Sequence, residues 1–507
     1  MLAHAALIYL KDTSVIIIGA GLGGLAAAIR LASRGVRVTM LEKNATPGGK
    51  VNIHRAAGYS FDTGASLLTM RHVLADLFGS AGRSVDDYLK IVPVEPLCRY
   101  RWPDGVTLDA SADLEKTERG IERIASPEDV EGFHRFLIDA RRKYEVAERT
   151  FLAHSLNDLP KLLRPRYARD LAAISSLRTL DAHVRRYFRS PHLRQLFNRF
   201  ATYNGSSPYR VPATFALISY VEFGTGAWYV RGGMYELPLA LVRLAEELCV
   251  EIRTGVEVEK ILIDGGRACG VELMSGESIR SDAVLVNADA VDAYRRLIKS
   301  EARRIYTDEK LERIEPSCSG FVLLLGVARS YPQLAHHNIF FSPDYPAEFR
   351  AIFDERRAAS DPTIYVCASS RTDESQAPAG HENLFVLVNA PANDGQTDWM
   401  SAASGYRDLI IRKLEESGLD GLSQAIDYEH IITPADFEQR YRANRGSIYG
   451  ISSNKLRNAY LRPPNKARDI EGLYFAGGAT HPGGRIPLVL LSGKMAAELL
   501  LRDNSLN

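Results

Sequence analysis

The sequence contains few cysteines and almost no net charge. Its 507 residues include five cysteines, scattered along the chain without a close pair: Cys98, Cys249, Cys269, Cys318 and Cys367. Their spacing matches neither a disulfide framework nor a zinc motif, so we expect no metal and a reducing compartment, the cytoplasm. The formal net charge of +1 excludes a surface that binds polyanions as a whole, and we expect no nucleic-acid partner.

Long apolar runs, fixed-period repeats and low-complexity linkers are also missing. Because no uncharged apolar run is long enough to cross a bilayer, any attachment to a membrane is expected to be peripheral. The composition, 46% hydrophobic and 25% charged, is globular. The chain is too long for one ordinary core, so two or three domains are expected. The sequence leaves the oligomeric state open.

A glycine-rich turn stands near the N-terminus. In residues 14–24 an apolar run, SVIII, is typical of a buried parallel strand, and GAGLGG follows it directly. A helical segment and a second strand come next, and that strand ends at Glu42. Gly19, Gly21 and Gly24, with an acid about 20 residues further on, predict a dinucleotide-binding turn. Glu42 would accept hydrogen bonds from the adenosine ribose.

The same region favours FAD among the dinucleotides. Glu42 disfavours the additional phosphate of NADP. The following segment, KNATPGGK (residues 43–50), carries a second glycine pair, Gly48-Gly49. It resembles the second phosphate-proximal segment of FAD enzymes of the amine-oxidase type, with Lys50 in place of their usual arginine. Together the two glycine segments predict FAD as the cofactor.

The C-terminal segment identifies a family. GLYFAGGATHPGGRIPLVLLSGKMAAELL (residues 472–500) resembles the closing signature of bacterial phytoene desaturases and related carotenoid desaturases and isomerases, which are FAD-dependent flavoproteins similar to amine oxidases. YSFDTGASLL (59–68), GGMYELPLAL and TPADFEQRYRANRGSIYG (433–450) are similar to segments of the same family. The resemblance therefore extends over almost the whole chain.

The resemblance implies a set of cofactor contacts. Residues 481–488 would surround the flavin ring, residues 477–478 would meet the ribityl-phosphate, and the backbone of a strand residue, Val258, would meet the adenine. Asp62 to Ser66 match a loop that runs near the ring. The predicted cofactor-binding residues are Gly19, Gly21, Leu22, Gly23, Gly24, Glu42, Lys43, Gly49, Lys50, Val258, Gly477, Gly478 and Ile486.

The catalytic residues are left unassigned. Removing hydrogen from an unactivated polyene needs an acceptor such as a flavin, and no side chain stands out as a general base. The C-terminal motif offers only His481 and Arg485 as candidates. Arg485 stands where the family usually has glycine or another small residue. Its charge would either stabilise the reduced flavin or point to the substrate mouth or solvent, and both alternatives stay open.

These patterns predict an α/β fold class. A discontinuous Rossmann-like FAD-binding domain is expected from residues 1–105, 231–295 and 433–507. Residues 106–230, a helical and membrane-facing region, and 296–432, a sheet region, are expected to form an α+β substrate domain.

A basic stretch suggests the membrane contact. Residues 161–199 contain ten Lys or Arg against two Asp, with leucines and aromatic residues between them. Such a stretch favours peripheral binding to the anionic inner face of the membrane from the cytoplasm. An ordinary solvated pair of amphipathic helices is the alternative.

The predicted function is FAD-dependent desaturation of a linear carotenoid, such as phytoene or a related forty- or thirty-carbon carotene, by an oxidoreductase acting on CH–CH groups. Alternatives on the same scaffold are cis–trans isomerisation, 3,4-desaturation of a hydroxycarotenoid, and oxidation of terminal methyl groups in diapocarotenoids. Two further alternatives are an amine-oxidase-like enzyme with a polar substrate and a membrane adaptor that binds FAD but has no activity.

Overall fold

The computed structural model describes residues 13–158, 170, 174 and 177–504. Most of the first half of the basic stretch 161–199 lies outside the described residues. In the part of the chain that is described, no helix combines the length and the apolar character needed to cross a membrane.

The strands are short and spread over the whole chain. In chain order they are β1 (Ser14–Ile18), β2 (Arg37–Glu42), β3 (Ile53–Ala56), β4 (Tyr59–Asp62), β5 (Ile91–Pro93), β6 (Cys98–Arg101), β7 (Thr107–Ala110), β8 (Trp228–Val230), β9 (Glu251–Thr254), β10 (Val258–Asp264), β11 (Arg267–Leu273), β12 (Ser278–Arg280), β13 (Ala283–Val286), β14 (Ser319–Val327), β15 (His337–Phe340), β16 (Ile364–Cys367), β17 (Glu382–Ala390), β18 (Ile426–Ile432) and β19 (Leu473–Phe475).

The α-helices range from one turn to six. In chain order they are α1 (Leu22–Ala32), α2 (Arg71–Ser80), α3 (Leu114–Ile124), α4 (Pro127–Arg149), α5 (Leu180–Val184), α6 (Pro191–Asn198), α7 (Leu217–Thr225), α8 (Glu236–Glu247), α9 (Ala290–Leu297), α10 (Asp308–Glu312), α11 (Tyr345–Phe353), α12 (Trp399–Glu416), α13 (Leu422–Ala425), α14 (Pro434–Tyr441), α15 (Leu456–Tyr460) and α16 (Ile486–Asn504).

A five-stranded parallel sheet carries the glycine turn. Its order is β19-β13-β1-β2-β9, and helices α1, α8 and α16 pack together on one side of it. Since both faces are covered, β1 and β13 are continuous apolar runs rather than alternating ones. Helix α1 is rich in alanine because it lies between the sheet and α16, and nearly all of it is buried. This architecture confirms the predicted α/β fold class.

The parallel sheet is assembled from three distant parts of the chain. Strands β1 and β2 come from the first predicted segment, β9 and β13 from the third, and β19 from the last. The exact domain boundaries stay a prediction. One strand differs from them: β6 lies inside the predicted segment 1–105 but pairs with β15 in the other large sheet. Strand β6 also forms a local hairpin with β7, but β15 is more than 200 residues away, so the local sequence does not indicate that pairing.

The second large sheet is mixed and has seven strands in the order β18-β14-β17-β16-β15-β6-β7. Strand β14, the second from one edge, is buried over all nine residues, as a strand covered on both faces must be. Helix α12 covers one face through Trp399 and Tyr406, whose rings contact Phe321 of β14. The opposite face is turned toward the parallel sheet and contributes residues to the cavity described below.

Helices α3 to α7 form the middle region, as predicted. Their core is a cluster of phenylalanines in ring contact: Phe133, Phe136, Phe188, Phe197, Phe200 and Phe223. Phe188 and Phe197 belong to the basic stretch 161–199 and are each only 1% exposed. These two aromatic side chains therefore pack inside the protein and are not free to enter a bilayer, whereas Arg185, Arg186 and Arg189 beside them are exposed.

Candidate cofactor and substrate site

A long cavity lies between the parallel sheet and the seven-stranded sheet. It begins at the carboxyl ends of β1 and β2, passes the start of α16, and reaches β15, β16 and β17. Open α/β sheets bind ligands at the carboxyl ends of their strands, so this position is the expected one. The predicted residues that line it are Gly19, Gly21, Leu22, Glu42, Lys43, Gly49, Lys50, Val258, Gly477, Gly478, Arg485 and Ile486.

The first glycine turn presents bare backbone to the cavity. Gly21 is the N-cap of α1 and provides no capping side chain, so N–H groups of the first helical turn remain for a ligand. Gly19 has a φ of +97°, and a Cβ there would lie 2.6 Å from the carbonyl oxygen of Asn287. Asn287 Nδ2 donates to the Gly19 carbonyl at 3.1 Å. The turn thus excludes side chains and offers amides to an anion.

Two of the predicted glycines lie behind the turn and not in the cavity wall. A Cβ on Gly24 would lie 2.4 Å from the carbonyl oxygen of Gly19. A Cβ on Gly23 would lie 2.7 Å from Asn287 Oδ1 and 3.1 Å from the backbone nitrogen of Gly477. Both glycines therefore allow α1 to pack closely, and the predicted direct contact of Gly23 with a cofactor is replaced by this packing role.

Glu42 is oriented by local hydrogen bonds. Glu42 is the last residue of β2 and is 5% exposed. Oε2 accepts from the Ala20 N–H at 2.9 Å, and Oε1 accepts from the Asn44 N–H at 2.9 Å and from Asn44 Nδ2 at 2.8 Å. A carboxylate oxygen has two lone pairs, so Oε2 keeps an acceptor position toward the cavity end. This arrangement suits the hydroxyl groups of a ribose.

The second glycine segment closes against the first. Gly48 pairs with the first glycine turn, and Lys50 follows two residues later. Lys50 Nζ donates to the carbonyl oxygens of Ser447 at 2.8 Å and Ile448 at 2.9 Å. Removal from water lowers the pKa of Lys50 to about 8, and the charge of Asp289 partly opposes this. An anion bound nearby would favour the charged ammonium.

The end of the cavity near Glu42 carries charged side chains of both signs. Val258 begins β10 and is buried, and Lys43 lines the same end. Arg296 and Arg442, which the sequence analysis missed, join them and both pair with Glu257, at 3.4 and 3.1 Å. Arg296 comes from α9, and Arg442 directly follows α14 within the segment 433–450. Their approach to the same end of the cavity depends on the fold and not on their spacing in the sequence.

The C-terminal turn places Arg485 against an aromatic ring. Arg485 has a φ of +91°, a conformation that favours glycine, and the family usually has a small residue there. Its guanidinium carbon lies 3.8 Å from the ring centroid of Tyr203. The side chain is half-buried and lines the cavity. It therefore points into the cavity wall and not to solvent.

Tyr203 connects Arg485 to a buried polar cluster, which we name the Arg199 cluster: Tyr100, Arg199, Tyr203 and Glu222. The Tyr203 hydroxyl donates to Glu222, and Arg199 pairs with Glu222 at 3.2 Å. Arg199 Nη2 donates to the Tyr100 hydroxyl at 2.6 Å. Burial raises the pKa of Tyr203, so its hydroxyl stays protonated. Sequence analysis missed this cluster because its members are up to 122 positions apart, from β6 to α7.

His481 lies outside the cavity wall. Its side chain is 3% exposed, and Nε2 lies 2.9 Å from the carbonyl oxygen of Phe151 and 3.0 Å from that of His154. A protonated Nε2 donates to these carbonyls, and burial lowers the pKa of the ring to about 4. These contacts give His481 a structural role, in which it holds the C-terminal turn. Its position outside the cavity wall does not support the prediction that it is catalytic.

The far wall of the cavity is apolar with an embedded hydrogen-bond chain. Apolar side chains from β15 and β17 line it: Ile339, Phe385 and Leu387. Between them the Tyr365 hydroxyl bonds to Ser66 Oγ at 2.6 Å and to His337 Nδ1 at 2.8 Å. Ser66 belongs to the loop that was predicted to run near the flavin ring, and it lines the cavity.

The residues present fit FAD. An uncapped helix N-terminus, an oriented acid at the end of the second strand and a second glycine segment in contact with the first occur in one cavity. The cavity also extends past the start of α16, where a flavin ring would meet Arg485 and Ile486. A dinucleotide needs these features in this order along its length.

Comparison with known proteins confirms FAD as the cofactor. Residues 22–501 match the family model described as flavin containing amine oxidoreductase. The chain is 41% identical over 496 residues to a protein from Methylomonas sp. named 4,4'-diapolycopene oxygenase, covering 96% of this chain and 98% of that protein. It is 37% identical over 488 residues to a Staphylococcus aureus protein named 4,4'-diaponeurosporene oxygenase, covering 96% and 97%.

Solved structures share the fold at low identity. An oxidoreductase from Methanosarcina mazei aligns with a TM-score of 0.67 and 19% identity, covering 96% of this chain and all of that one. A putrescine oxidase with bound putrescine aligns with a TM-score of 0.65 and 14% identity, covering 97% and 99%. At such identities the likeness concerns the fold alone.

Proposed function

The chain belongs to the flavin-containing amine oxidoreductase family and uses FAD, and from that premise we propose that it oxidises the terminal methyl group of a linear polyene to a carbonyl group. The observation that carries this proposal is the 41% identity, over nearly the whole of both chains, with a protein named 4,4'-diapolycopene oxygenase. The S. aureus relative is likewise named an oxygenase of a 4,4'-diapocarotenoid.

The lining of the cavity supports the proposal that the substrate is long and apolar. The part beyond the start of α16 is lined by aliphatic and aromatic side chains from several strands, together with Leu97, Tyr345 and Tyr449. Burying a polyene against such side chains is favourable by roughly 25 cal/mol for each Å² of apolar surface removed from water.

The Arg199 cluster supports a substrate that becomes polar at one end. Arg199 and Tyr203 line the cavity, and Arg199 Nε has no hydrogen-bond partner among the described residues. A buried donor without a partner is costly, and a carbonyl oxygen formed at the end of the polyene would satisfy it. Glu222 holds Arg199 in place through their ion pair, which is at most 6% exposed.

Oxidation of a methyl group to an aldehyde removes four electrons and replaces two hydrogens by one oxygen, so O₂ is the terminal oxidant (overall RCH₃ + O₂ → RCHO + H₂O). Bound FAD would supply the redox chemistry that protein side chains lack. The glycine turns, Glu42 and Lys50 line the part of the cavity that would hold it. Arg485 and Tyr203 close the cavity wall where the ring would lie, and the apolar wall excludes water from the reacting carbon. No described side chain at this end is required to act as a general base.

Desaturation of a linear carotene is a second candidate. The segment HPGGRIPLVLLSG at the start of α16 resembles the signature of phytoene desaturases, and the apolar wall accepts either substrate. The two reactions differ in product, since desaturation removes two hydrogens and end-group oxidation adds oxygen.

A substrate panel separates the candidates. The FAD-loaded protein is incubated in air with liposomes containing 4,4'-diapolycopene, 4,4'-diaponeurosporene or phytoene, and the products are analysed by chromatography and mass spectrometry. We expect products in which oxygen replaces two hydrogens, from the diapocarotenoids. Loss of hydrogen without gain of oxygen would favour desaturation, and an unchanged mass with altered retention would favour isomerisation.

We propose that the protein works in the cytoplasm, attached peripherally to the inner face of the membrane. A polyene dissolves in the bilayer, so an enzyme acting on it needs access to the lipid surface. The exposed Arg185, Arg186 and Arg189 provide cationic groups for anionic headgroups.

A further inference from the structure

Three side chains with metal-binding atoms meet inside the seven-stranded sheet. His336 precedes β15, His337 begins it, and Cys367 ends β16, where it is paired directly with His337 across the two strands. A ring nitrogen of each histidine and the cysteine sulfur lie within 4.8 Å of one another. All three residues are buried, at 3%, 1% and 5% exposure. We name them the His-His-Cys cluster.

The histidine rings are oriented by hydrogen bonds at one nitrogen and left free at the other. His336 Nδ1 bonds to Thr372 Oγ1 at 2.7 Å, and His337 Nδ1 bonds to the Tyr365 hydroxyl at 2.8 Å. Nε2 of both rings is buried and has no partner among the described residues. Two unsatisfied imidazole nitrogens on neighbouring residues in the protein interior favour a bound ligand, because each costs about 1–3 kcal/mol when left unpaired.

This pattern is the one that metal-ligating histidines show. Such a histidine bonds through one ring nitrogen to the protein, which sets its tautomer, and presents the other nitrogen to the ion. A bound cation would also deprotonate the neighbouring thiol.

We propose that His336, His337 and Cys367 bind one zinc ion. Two imidazoles and a thiolate suit zinc, whereas calcium and magnesium require oxygen ligands that the three residues do not offer. Tetrahedral zinc holds such atoms about 3.3–3.6 Å apart, from bond lengths of about 2.0 Å to nitrogen and 2.3 Å to sulfur. The three atoms, now within 4.8 Å of one another, would have to move closer together to bind the ion.

The site is separate from the FAD contacts but adjoins the cavity. His337 also lines the far wall, and its partner Tyr365 lies on β16 beside Cys367. The spacing of the three residues hides the site from sequence inspection, because a His-His pair followed by a cysteine thirty positions later matches no zinc motif. The expectation of no metal site is therefore revised by this proposal.

Metal content and cobalt spectroscopy test the proposal on the full-length FAD-loaded protein. Metal is removed with a chelator, excess zinc is added and dialysed away, and the bound zinc is counted by mass spectrometry. In parallel, cobalt(II) is added as a spectroscopic substitute for zinc. We expect one zinc per chain, a sulfur-to-cobalt charge-transfer band, and displacement of cobalt by zinc.

Variants assign the ion to these residues. Cys367→Ser should abolish the charge-transfer band and weaken zinc binding by more than about 100-fold, and Thr372→Val should weaken it by about 10- to 100-fold through the orientation of His336. Cys318→Ser is the matched control, since Cys318 is also buried and lies just before β14, outside the His-His-Cys cluster. FAD absorbance and circular dichroism report the folding of each variant.

Either of two results overturns the proposal. One is wild-type protein that retains no zinc after dialysis. The other is a Cys367→Ser protein, folded and loaded with FAD, that binds zinc with wild-type affinity or keeps the charge-transfer band.

Discussion

At the scale of single residues, Arg485 departs most clearly from the family pattern. Its positive φ costs about 1–2 kcal/mol in a non-glycine residue, and its stacking on Tyr203 at 3.8 Å returns an amount of the same order. A strained residue that is kept at a cavity wall usually has a function. The contact with Tyr203 favours the cavity side over solvent as the place where its charge acts.

We expect Arg485→Gly to change stability by less than about 1 kcal/mol, since relief of strain offsets the lost stacking. Turnover of the polyene should fall about tenfold, because Tyr203, a member of the Arg199 cluster, loses the guanidinium group that packs on its ring. The midpoint potential of bound FAD should shift by less than about 30 mV, or about 1.4 kcal/mol for two electrons. A larger shift, measured by dye-coupled titration, would instead place the charge on the flavin.

The buried side chain of Glu348 should make the free energy of unfolding depend on pH. It lies on α11, where Ser342 Oγ and the Thr363 N–H donate to Oε2 at 3.1 Å while Oε1 is buried without a partner among the described residues. Burial raises the pKa of Glu348 to about 7 from 4.5. The folded chain thus keeps a proton that the unfolded chain releases, so the stabilisation present below pH 4.5 is lost as pH rises to 7.

Glu348→Gln should remove this loss. Between pH 4.5 and 7.5 the free energy of unfolding of the wild type should fall by about 3 kcal/mol more than that of the variant, as a shift of two to three units implies. Urea unfolding followed by tryptophan fluorescence at each pH measures it. Glu355→Gln, at an exposed glutamate just after the same helix, should follow the wild type, and parallel pH curves for all three proteins would exclude this role for Glu348.

Residues differ in how far the sequence could identify them. Glu42 and the first glycine turn are predictable because one strand-turn-helix unit places them together. The Arg199 cluster and the His-His-Cys cluster are not, since strand pairing and helix packing bring distant residues into contact. His481 was misjudged as a catalytic candidate because proximity to the C-terminal motif does not reveal which way its ring points.

At the scale of elements, the contact between α1 and α16 holds the cofactor site together. Gly493 of α16 lies against the start of α1, and a Cβ there would be 2.3 Å from the carbonyl oxygen of Gly23. The first turn of α1 carries the amides that face the pyrophosphate site. The packing of the last helix therefore controls the geometry of the N-terminal turn.

We expect Gly493→Ala to destabilise the protein by about 1–3 kcal/mol through overpacking. It should also weaken FAD retention, measured as the flavin-to-protein absorbance ratio after gel filtration. Gly405→Ala is the control, because Gly405 is exposed in α12 with no atom within 4 Å of its Cβ position. There alanine should stabilise the helix by about 0.5–1 kcal/mol. Equal behaviour of the two variants would show that the α1–α16 contact does not limit FAD binding.

Elements were predictable where their pattern is strong. The buried strands β1, β2 and β14 and the helices α1, α8 and α16 follow from apolar runs and helix-forming residues. The assignment of β6 to the seven-stranded sheet does not, because a four-residue strand carries no record of its partner. The predicted boundary at residue 105 falls inside the local hairpin of β6 and β7.

At the scale of the whole molecule, the proposed membrane attachment depends on exposed arginines and on Leu177, which is 93% exposed, within the described part of the basic stretch. Phe188 and Phe197 are core residues, so the surface that could face a membrane is smaller than the aromatic residues of the basic stretch suggest. The charges of Arg185, Arg186 and Arg189 remain at the surface beside them. Electrostatic attraction to anionic lipid contributes about 1 kcal/mol for each such residue.

Changing Arg185, Arg186 and Arg189 to Glu should abolish flotation with liposomes that contain anionic lipid, while flotation at high salt should already be weak for the wild type. The control variant changes Lys299, Arg304 and Lys310, which are exposed elsewhere, to Glu. Equal losses of flotation in both triple variants would indicate that binding depends on the net charge of the protein and not on a defined surface. Unchanged flotation of the Arg185, Arg186 and Arg189 variant would refute this attachment.

The central claim is that oxygen is added to the end of a linear polyene in the FAD-bound cavity. Its most direct measurement is the mass spectrum of the product formed from 4,4'-diapolycopene by the FAD-loaded protein under oxygen-18-labelled O₂ and, separately, in oxygen-18-labelled water. We expect a terminal carbonyl product carrying label from one of the two sources, formed only with FAD. A product that contains no oxygen, whether desaturated or merely isomerised, would contradict the claim.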